Sequence, residues 1–411
     1  MAPLLNGRSR ALLLLPPPPS PPTFTALKAA YGPSLSSVLT ELARSRSKSQ
    51  GAVVLDIALP CDHLYGKQDQ PRSSTYATTQ RLVAGLYKLV CVISAKESID
   101  VEDADGIDPR LLLLAYPRNG KLDQALISRP ELDTQGPIIN IPTLASCSRP
   151  WDTIYAVESE EGEQILKTFL SSRPQDCNIH RVPAGVVQVS PQAEPASAAP
   201  ASVAATIHYS VAVGGTFDHL HIGHKLLLTM FALALDAPPE TAEIEQSLTI
   251  GITGDELLKN KKFAEFLESW SQRQQSVHDF MSSILDFGPN GDSRVVAKEL
   301  TEPGPNGHAV HVTFPSHLVI KYVEIWDPFG PTITDESISA LVLSAETRAG
   351  GKAVNSKRAE RGWPQLEVFE VDVLDAEEND GDVEPADESF QSKISSTEIR
   401  RMQAGKSKSK K

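Results

Sequence analysis

Three observations predict an α/β protein of two domains, the second built on a doubly wound parallel sheet. Apolar, β-branched runs alternate with longer stretches of helical period in both halves of the chain. An Ala/Pro/Ser-rich stretch, residues 188–206, interrupts that alternation near the middle. Immediately after it, an apolar run passes straight into paired glycines and the start of an apolar helix. Strands alternating with helices favour parallel crossover units. At 411 residues, with 40% hydrophobic and 22% charged side chains, the chain is long enough to bury two cores.

In the first half, residues 11–15 (ALLLL) read as a short buried strand that ends at the prolines Pro16 to Pro19. A helical pattern over 24–44 and the β-branched run 51–59 (GAVVLDIAL) give the order strand, helix, strand. A second helical stretch over 78–92 precedes the apolar run 111–115. The strand-like 152–157 (DTIYAV) then leads into a helix over 160–170. Residues 1–187 therefore read as a separate α/β domain, without a phosphate loop or a catalytic constellation. Residues 188–206, low in periodic apolar pattern, read as a linker.

In the second half, residues 207–403, a strand at 211–213 is followed by a helix over 222–235 and a strand at 248–253. A long helical segment from about 264 to 285 comes next, then strand-like runs at 309–314, 319–325, 340–343 and 366–373. The pattern predicts a Rossmann-like sheet, in which ligands sit beyond the carboxyl ends of the strands. Residues 372–388 are rich in acids and hold no Lys or Arg, and read as a solvated insertion. Residues 404–411 read as a Lys-rich tail.

The net charge of −13 argues against nucleic acid as the main ligand, because backbone binding needs clustered Lys and Arg. A small phosphorylated ligand remains compatible, since a local cationic pocket can exist in an acidic protein. Cys61, Cys91, Cys147 and Cys177 lie far apart with no CxxC, which points to neither a zinc site nor a disulfide framework. A reducing, cytoplasmic setting is the plain expectation. Arg8, Arg10 and Lys28 precede the first acid, Glu41, a bias that leaves a mitochondrial address as the weaker alternative, and the Lys-rich end leaves a nuclear one. No apolar run reaches the roughly 18 residues of a bilayer span.

The chemistry concentrates in VAVGGTFDHLHIGHK, residues 211–225. Gly214 and Gly215 let the backbone turn and approach a phosphate with no Cβ in the way. A helix beginning near Leu220 aims its free N–H groups and dipole at the same space. His221 and His224, three apart, share its first turn. A second motif, ISSTEIRR, occupies residues 394–401.

Together the two segments resemble the T/HxGH and ISSTxxR motifs of the nucleotidyltransferase superfamily. The first resembles most closely that of the eukaryotic phosphopantetheine adenylyltransferases. Residues 251–277 (GITGDELLKNKKFAEFLESWSQRQQSV) and 344–358 (SAETRAGGKAVNSKR) are similar to that family's lysine-bearing loop and its S-x-E-T and N-x-x-R segment. The likeness covers about 209–401 and leaves the N-terminal half outside.

The resemblance implies adenylyl transfer from ATP to 4′-phosphopantetheine, giving dephospho-coenzyme A and pyrophosphate. It implies Mg2+ bound with ATP, and no separate protein metal site. His224, Thr216 and Lys261 would carry the reaction. Gly214, Gly215, Phe217, His221, Gly223, Glu346, Ser395, Ser396, Thr397 and Arg400 would join His224 around ATP, and Asn355 and Arg358 would join Thr216 and Lys261 around the acceptor. Lys259 and Lys262 compete with Lys261 for the acceptor phosphate. Other enzymes of coenzyme A synthesis are the partners expected of the N-terminal half, with neither nucleic acid nor membrane.

Cytidylyltransferases share GTFDxxHxGH but carry an RTEGIST-type segment where this chain has KISSTEIR. Nicotinamide mononucleotide adenylyltransferases share ISSTxxR but have Asn-Pro in the first motif. Class I aminoacyl-tRNA synthetases use HIGH with a KMSKS-type loop. A non-catalytic nucleotide-binding scaffold is the remaining alternative, against which both histidines, the threonine and the Ser/Thr/Arg motif stand. Gly405, Lys406 and Ser407 do not make a Walker loop, because Arg400 stands where its first glycine belongs.

Overall fold

The computed structural model describes residues 9–45, 52–67, 70–101, 106–123, 134–173, 177–187, 206–239, 244–288, 295–304, 307–372 and 395–408. The chain divides into two compact units, one of Met1–Ile207 with Ser283–Asn290 and one of His208–Ser282 with Gly291–Lys411. Except for Thr206 and Asp372, the expected linker and acidic insertion lie outside the described residues. No helix among the described residues is long and apolar enough to cross a membrane.

The first unit is a six-stranded, wholly parallel sheet in the order β4-β3-β2-β1-β5-β6. Its strands are β1 (Arg10–Leu14), β2 (Val53–Cys61), β3 (Ile107–Ala115), β4 (Ile138–Ile139), β5 (Thr153–Val157) and β6 (Ile179–Val182). Every residue of β2 is buried, which accounts for its unbroken apolar run. Helices α1 (Phe24–Ser45), α2 (Ser73–Glu97), α3 (Ile141–Ser146) and α4 (Glu160–Ser172) connect the strands. Asn140 and Ser159 cap α3 and α4 by accepting the N–H groups of Thr143 and Gly162. Between β1 and α1, Pro16 to Pro19 are all buried. The Tyr31 hydroxyl donates to the Pro16 carbonyl at 2.8 Å, and the Arg118 guanidinium donates to that of Pro18.

The second unit is a seven-stranded sheet, β13-β12-β7-β8-β11-β10-β9. Its strands are β7 (Ser210–Gly215), β8 (Gln246–Thr253), β9 (Val296–Gly304), β10 (Gly307–Thr313), β11 (Leu318–Ile325), β12 (Ala340–Ser344) and β13 (Glu367–Val371). The five strands from β13 to β11 are parallel, as the Rossmann-like reading expects. β10 and β9 add an antiparallel meander at one edge, so the whole sheet is mixed.

From β7 the chain first builds toward β8 and then crosses to β12 on the other side. The reversal places a switch point between β7 and β12, where open sheets of this kind hold ligands. The register shows the opening. β7 pairs with β12 only as far as Val213 with Val342, while Gly214 and Gly215 remain paired with Gly251 and Ile252 of β8.

Helix α5 (Ile222–Leu233) is buried along almost its whole length and lies against β7, β12 and β13. The helical segment expected from about 264 is instead a 3-10 turn at Ala264–Phe266 followed by α6 (Trp270–Leu285). The physical reason is a cap. Ser269 and Gln272 bond reciprocally, with the Gln272 N–H on the Ser269 hydroxyl and the Ser269 N–H on Gln272 Oε1 at 2.9 Å. Helix α7 (Arg348–Glu360) follows β12, and a Cβ on Gly351 would stand 3.0 Å from Leu343 Cδ2, which shows how closely helix and sheet approach. Helix α8 (Ser396–Lys408) closes the unit, so the segment expected as a tail is helical through Lys408.

Candidate active site

The apolar run 211–213 forms β7 because its β-branched side chains fit a sheet buried on both faces. Past Gly215 the chain turns sharply. Phe217 and His219 both adopt left-handed backbone, at φ 52° and 47°, which costs a non-glycine residue free energy and marks an over-determined turn. Phe217 is held by complete burial. His219 is held by its N–H on Glu268 Oε2 at 2.8 Å and by its Nε2 with the Phe266 carbonyl at 2.9 Å.

The turn delivers His221 in extended conformation at the N-cap of α5, where its side chain caps nothing. The first N–H groups of the helix are therefore left to whatever enters from the cleft. The imidazoles of His221 and His224 stack, with centroids 3.9 Å apart and planes 23° apart, and Phe217 packs on His224 at 5.4 Å. Gly223 makes the stack possible: a Cβ there would stand 3.1 Å from His221 Cε1. Nδ1 of each ring is buried without a hydrogen-bond partner. Buried polar atoms are nearly always paired, so two orphans side by side point to an absent ligand. Burial holds the His221 pKa well below the ordinary histidine value and lowers that of His224 to about 4. Both rings are therefore neutral at physiological pH.

Gly214 is exposed, and a Cβ on it would meet nothing closer than the Gly251 carbonyl at 4.0 Å. Thr216 is half-buried, and its carbonyl accepts an Arg273 N–H at 2.6 Å. Arg273, fully buried, also donates to the carbonyls of Glu268 and Thr253 and to Asp255, tying the glycine turn to the end of β8.

Lys259, Lys261 and Lys262 are exposed on the loop that leaves β8. The Lys259 ammonium pairs with Glu256, and the Lys262 carbonyl accepts an Arg400 N–H at 3.1 Å. Lys261 carries no ion pair with a described residue.

The second motif arrives at the same place. The Ser395 hydroxyl accepts the Glu398 N–H at 3.2 Å, the first turn of a Ser-x-x-Glu cap. The Ser396 hydroxyl donates to the Asp218 carbonyl at 2.7 Å. Arg400, expected at the triphosphate, is buried. Its guanidinium pairs with the buried Asp218 carboxylate and donates to Thr397 Oγ1 at 3.2 Å.

Two of the expected acceptor ligands are bonded to the protein itself. All five N–H donors of Arg358 are used on the carbonyls of Pro364, Thr332, Asp335, Glu336 and Ile338, leaving none for a phosphate. Asn355 spends its amide on the Leu366 backbone, donating at 3.0 Å and accepting at 2.8 Å. Both residues pin α7 to the segments that lead into β12 and β13. Glu346 stands exposed on the 3-10 turn Ala345–Thr347 just past β12, on the far side of the switch point from Gly214. Asp218, His219, Glu268 and Arg273 shape the site without having been singled out as its ligands. The first two sit inside the glycine–histidine motif, and that adjacency was the signal available for them.

Residues 1–188 match a family described as a domain of unknown function, DUF8446. Over 236 residues the chain is 32% identical to an uncharacterized protein of Schizosaccharomyces pombe, spanning 56% of this chain and 60% of that one. It is 36% identical over 191 residues to a phosphopantetheine adenylyltransferase of Saccharomyces cerevisiae, spanning 46% of this chain and 47% of that one. It is 30% identical over 165 residues to a phosphopantetheine adenylyltransferase of Pyrobaculum aerophilum, covering 40% of this chain and 80% of that smaller protein. The chain thus spans about half to three-fifths of the two longer relatives.

Proposed function

Because the chain belongs to the nucleotidyltransferase family that these phosphopantetheine adenylyltransferases represent, we propose that it transfers the adenylyl group of ATP to 4′-phosphopantetheine. The products are dephospho-coenzyme A and pyrophosphate. The observation that carries this reading is the stacked, neutral pair His221 and His224, with unpartnered ring nitrogens at the uncapped start of α5.

An oxygen of the acceptor phosphate attacks the α-phosphorus of ATP in line, and the bond from that phosphorus to the pyrophosphate oxygen breaks. The attacking group is already anionic, so no strong general base is needed. Catalysis then rests on positioning and on stabilising negative charge. Helix N–H groups and the ring N–H groups of His221 and His224 serve the nucleotide phosphates. Gly214, Gly215 and Gly223 leave room for them, with Phe217 backing His224. Thr216 orients the acceptor phosphate. Lys261 or Lys262 supplies the cation for it, Lys261 being the better match to the resemblance, while Lys259 is engaged by Glu256.

Ser395, Ser396 and Thr397 present the α8 terminus to the β- and γ-phosphates, and Glu346 faces the nucleoside. Among the described residues no group of three or more His, Cys, Asp or Glu could hold a metal ion. In this reading Mg2+ would enter with ATP, held by phosphates and water, and would supply neutralisation of part of the phosphate charge.

The test is pyrophosphate release by the purified chain with Mg2+, pairing ATP or CTP with 4′-phosphopantetheine, phosphocholine, glycerol 3-phosphate or nicotinamide mononucleotide. Turnover with ATP and phosphopantetheine alone is expected. Turnover with another pair replaces the substrate, and none with any pair refutes the enzymatic reading.

A further inference from the structure

Asp218 lies between the two left-handed residues of the glycine–histidine turn, and its side chain is completely buried. Its Oδ1 accepts the Glu268 N–H at 3.0 Å, and its Oδ2 pairs with the Arg400 guanidinium. Its main-chain carbonyl accepts the Ser396 hydroxyl at 2.7 Å. Glu268 returns the contact, since its carboxylate accepts the His219 N–H at 2.8 Å. Arg400 continues the chain of bonds by donating to the Lys262 carbonyl at 3.1 Å and to Thr397 at 3.2 Å. One residue thus joins the histidine turn, the lysine loop and the start of α8, and its carboxylate and the Arg400 guanidinium bond to groups of the protein.

We propose that Asp218 and Arg400 are a positioning pair, which sets the spacing of the three segments that grip the two substrates while neither side chain touches them. Removing either member strands a buried charge and frees all three segments together. A displacement of about 1 Å among groups aligned for in-line transfer costs on the order of 100-fold in rate. A direct phosphate ligand would behave otherwise, because its loss would subtract one charge-assisted contact whatever Asp218 did.

The test is a double-mutant cycle on the full chain with Asp218→Asn, Arg400→Gln and the pair together, reading kcat/KM, ATP affinity and Tm. Each single variant should lose about 10- to 100-fold in kcat/KM, and the double variant should be no worse than either, because the two act as one unit. Additive losses would overturn the proposal and return Arg400 to the triphosphate. Lowered Tm with full turnover of the folded fraction would overturn it too, leaving a purely structural pair.

Should Asp218→Asn fail to fold, Arg400→Lys decides. A lysine keeps the charge that a phosphate contact needs but lacks the fork that reaches three partners. Loss of tenfold or more supports positioning, and activity within threefold of the parent refutes it. The assay rests on the adenylyl-transfer reading. If the parent chain shows no turnover with any acceptor, that reading fails, and the same cycle read as ATP affinity still decides the pair.

Discussion

Gly214→Ala separates ligand space from folding. In the ligand-free chain the new methyl group would stand 4.0 Å from its nearest neighbour, the Gly251 carbonyl, and the backbone there does not need positive φ. Stability should therefore change by less than about 1 kcal/mol, the alanine even narrowing the unfolded ensemble. If a phosphate lies against the turn, the same methyl occupies the approach of an oxygen to a main-chain N–H. Losing one hydrogen bond to a charged group costs about 1.5–3 kcal/mol, or roughly 10- to 150-fold in affinity. Calorimetric titration with ATP, set beside a thermal melt, reads both quantities. Gly215→Ala is the contrast, since its Cβ would stand 3.0 Å from the buried Phe217 ring and should cost roughly 1–3 kcal/mol of stability. ATP binding by Gly214→Ala equal to that of the parent chain would refute the placement of phosphate at this turn.

His224→Ala should lower adenylyl transfer about 10²- to 10³-fold with the fold retained, as for loss of a preorganised donor, and unchanged turnover would remove His224 from the mechanism. The depressed pKa of His224 fixes a pH dependence: between about 6.5 and 4 the unfolded chain binds the proton that the folded one refuses. Stability should accordingly fall as the pH drops through that window, and a melting series that stays flat after correction with His224→Ala would contradict it. A polyanion beside the ring raises that pKa again, so ATP binding near about pH 5.5 should take up protons, seen as a buffer-dependent binding enthalpy that His224→Ala diminishes. Arg358→Lys should lose roughly 3 kcal/mol or more of stability by abandoning buried carbonyls, yet leave the KM for the acceptor within about twofold; a large KM change would restore Arg358 to the binding site.

The elements that carry the site were legible because their signals are local. β7, β8, β11 and β12 are apolar, β-branched runs in a buried parallel sheet, and His221 and His224, three apart, meet as the N-cap and first turn of α5, which begins two residues later than the expected Leu220. The start of α6 was also written locally, in Ser269 and Gln272, but the apolar residues ahead of it extended the apparent helix. β9 was illegible, because an edge strand exposed along much of its length has no core to impose alternation, and its Val296–Gly304 sequence mixes charge with Pro and Gly. Arg358 and Asn355 resembled ligands in sequence because nothing local tells a phosphate from five carbonyls. Their partners are supplied by folding. The burial of Arg400 against Asp218 is of the same kind, since the two residues are 182 positions apart.

The proline turn of the first unit bears on stoichiometry. In sheets of its topology the turn after β1 is where a nucleotide phosphate is usually received, by main-chain N–H groups. Here Pro16 to Pro19 offer no such donor, and the carbonyls of Pro16 and Pro18 are already taken by Tyr31 and Arg118. Among the described residues the turn after β1 thus lacks the free main-chain donors that the uncapped start of α5 presents; under the function proposed above, ATP should saturate at one equivalent per chain.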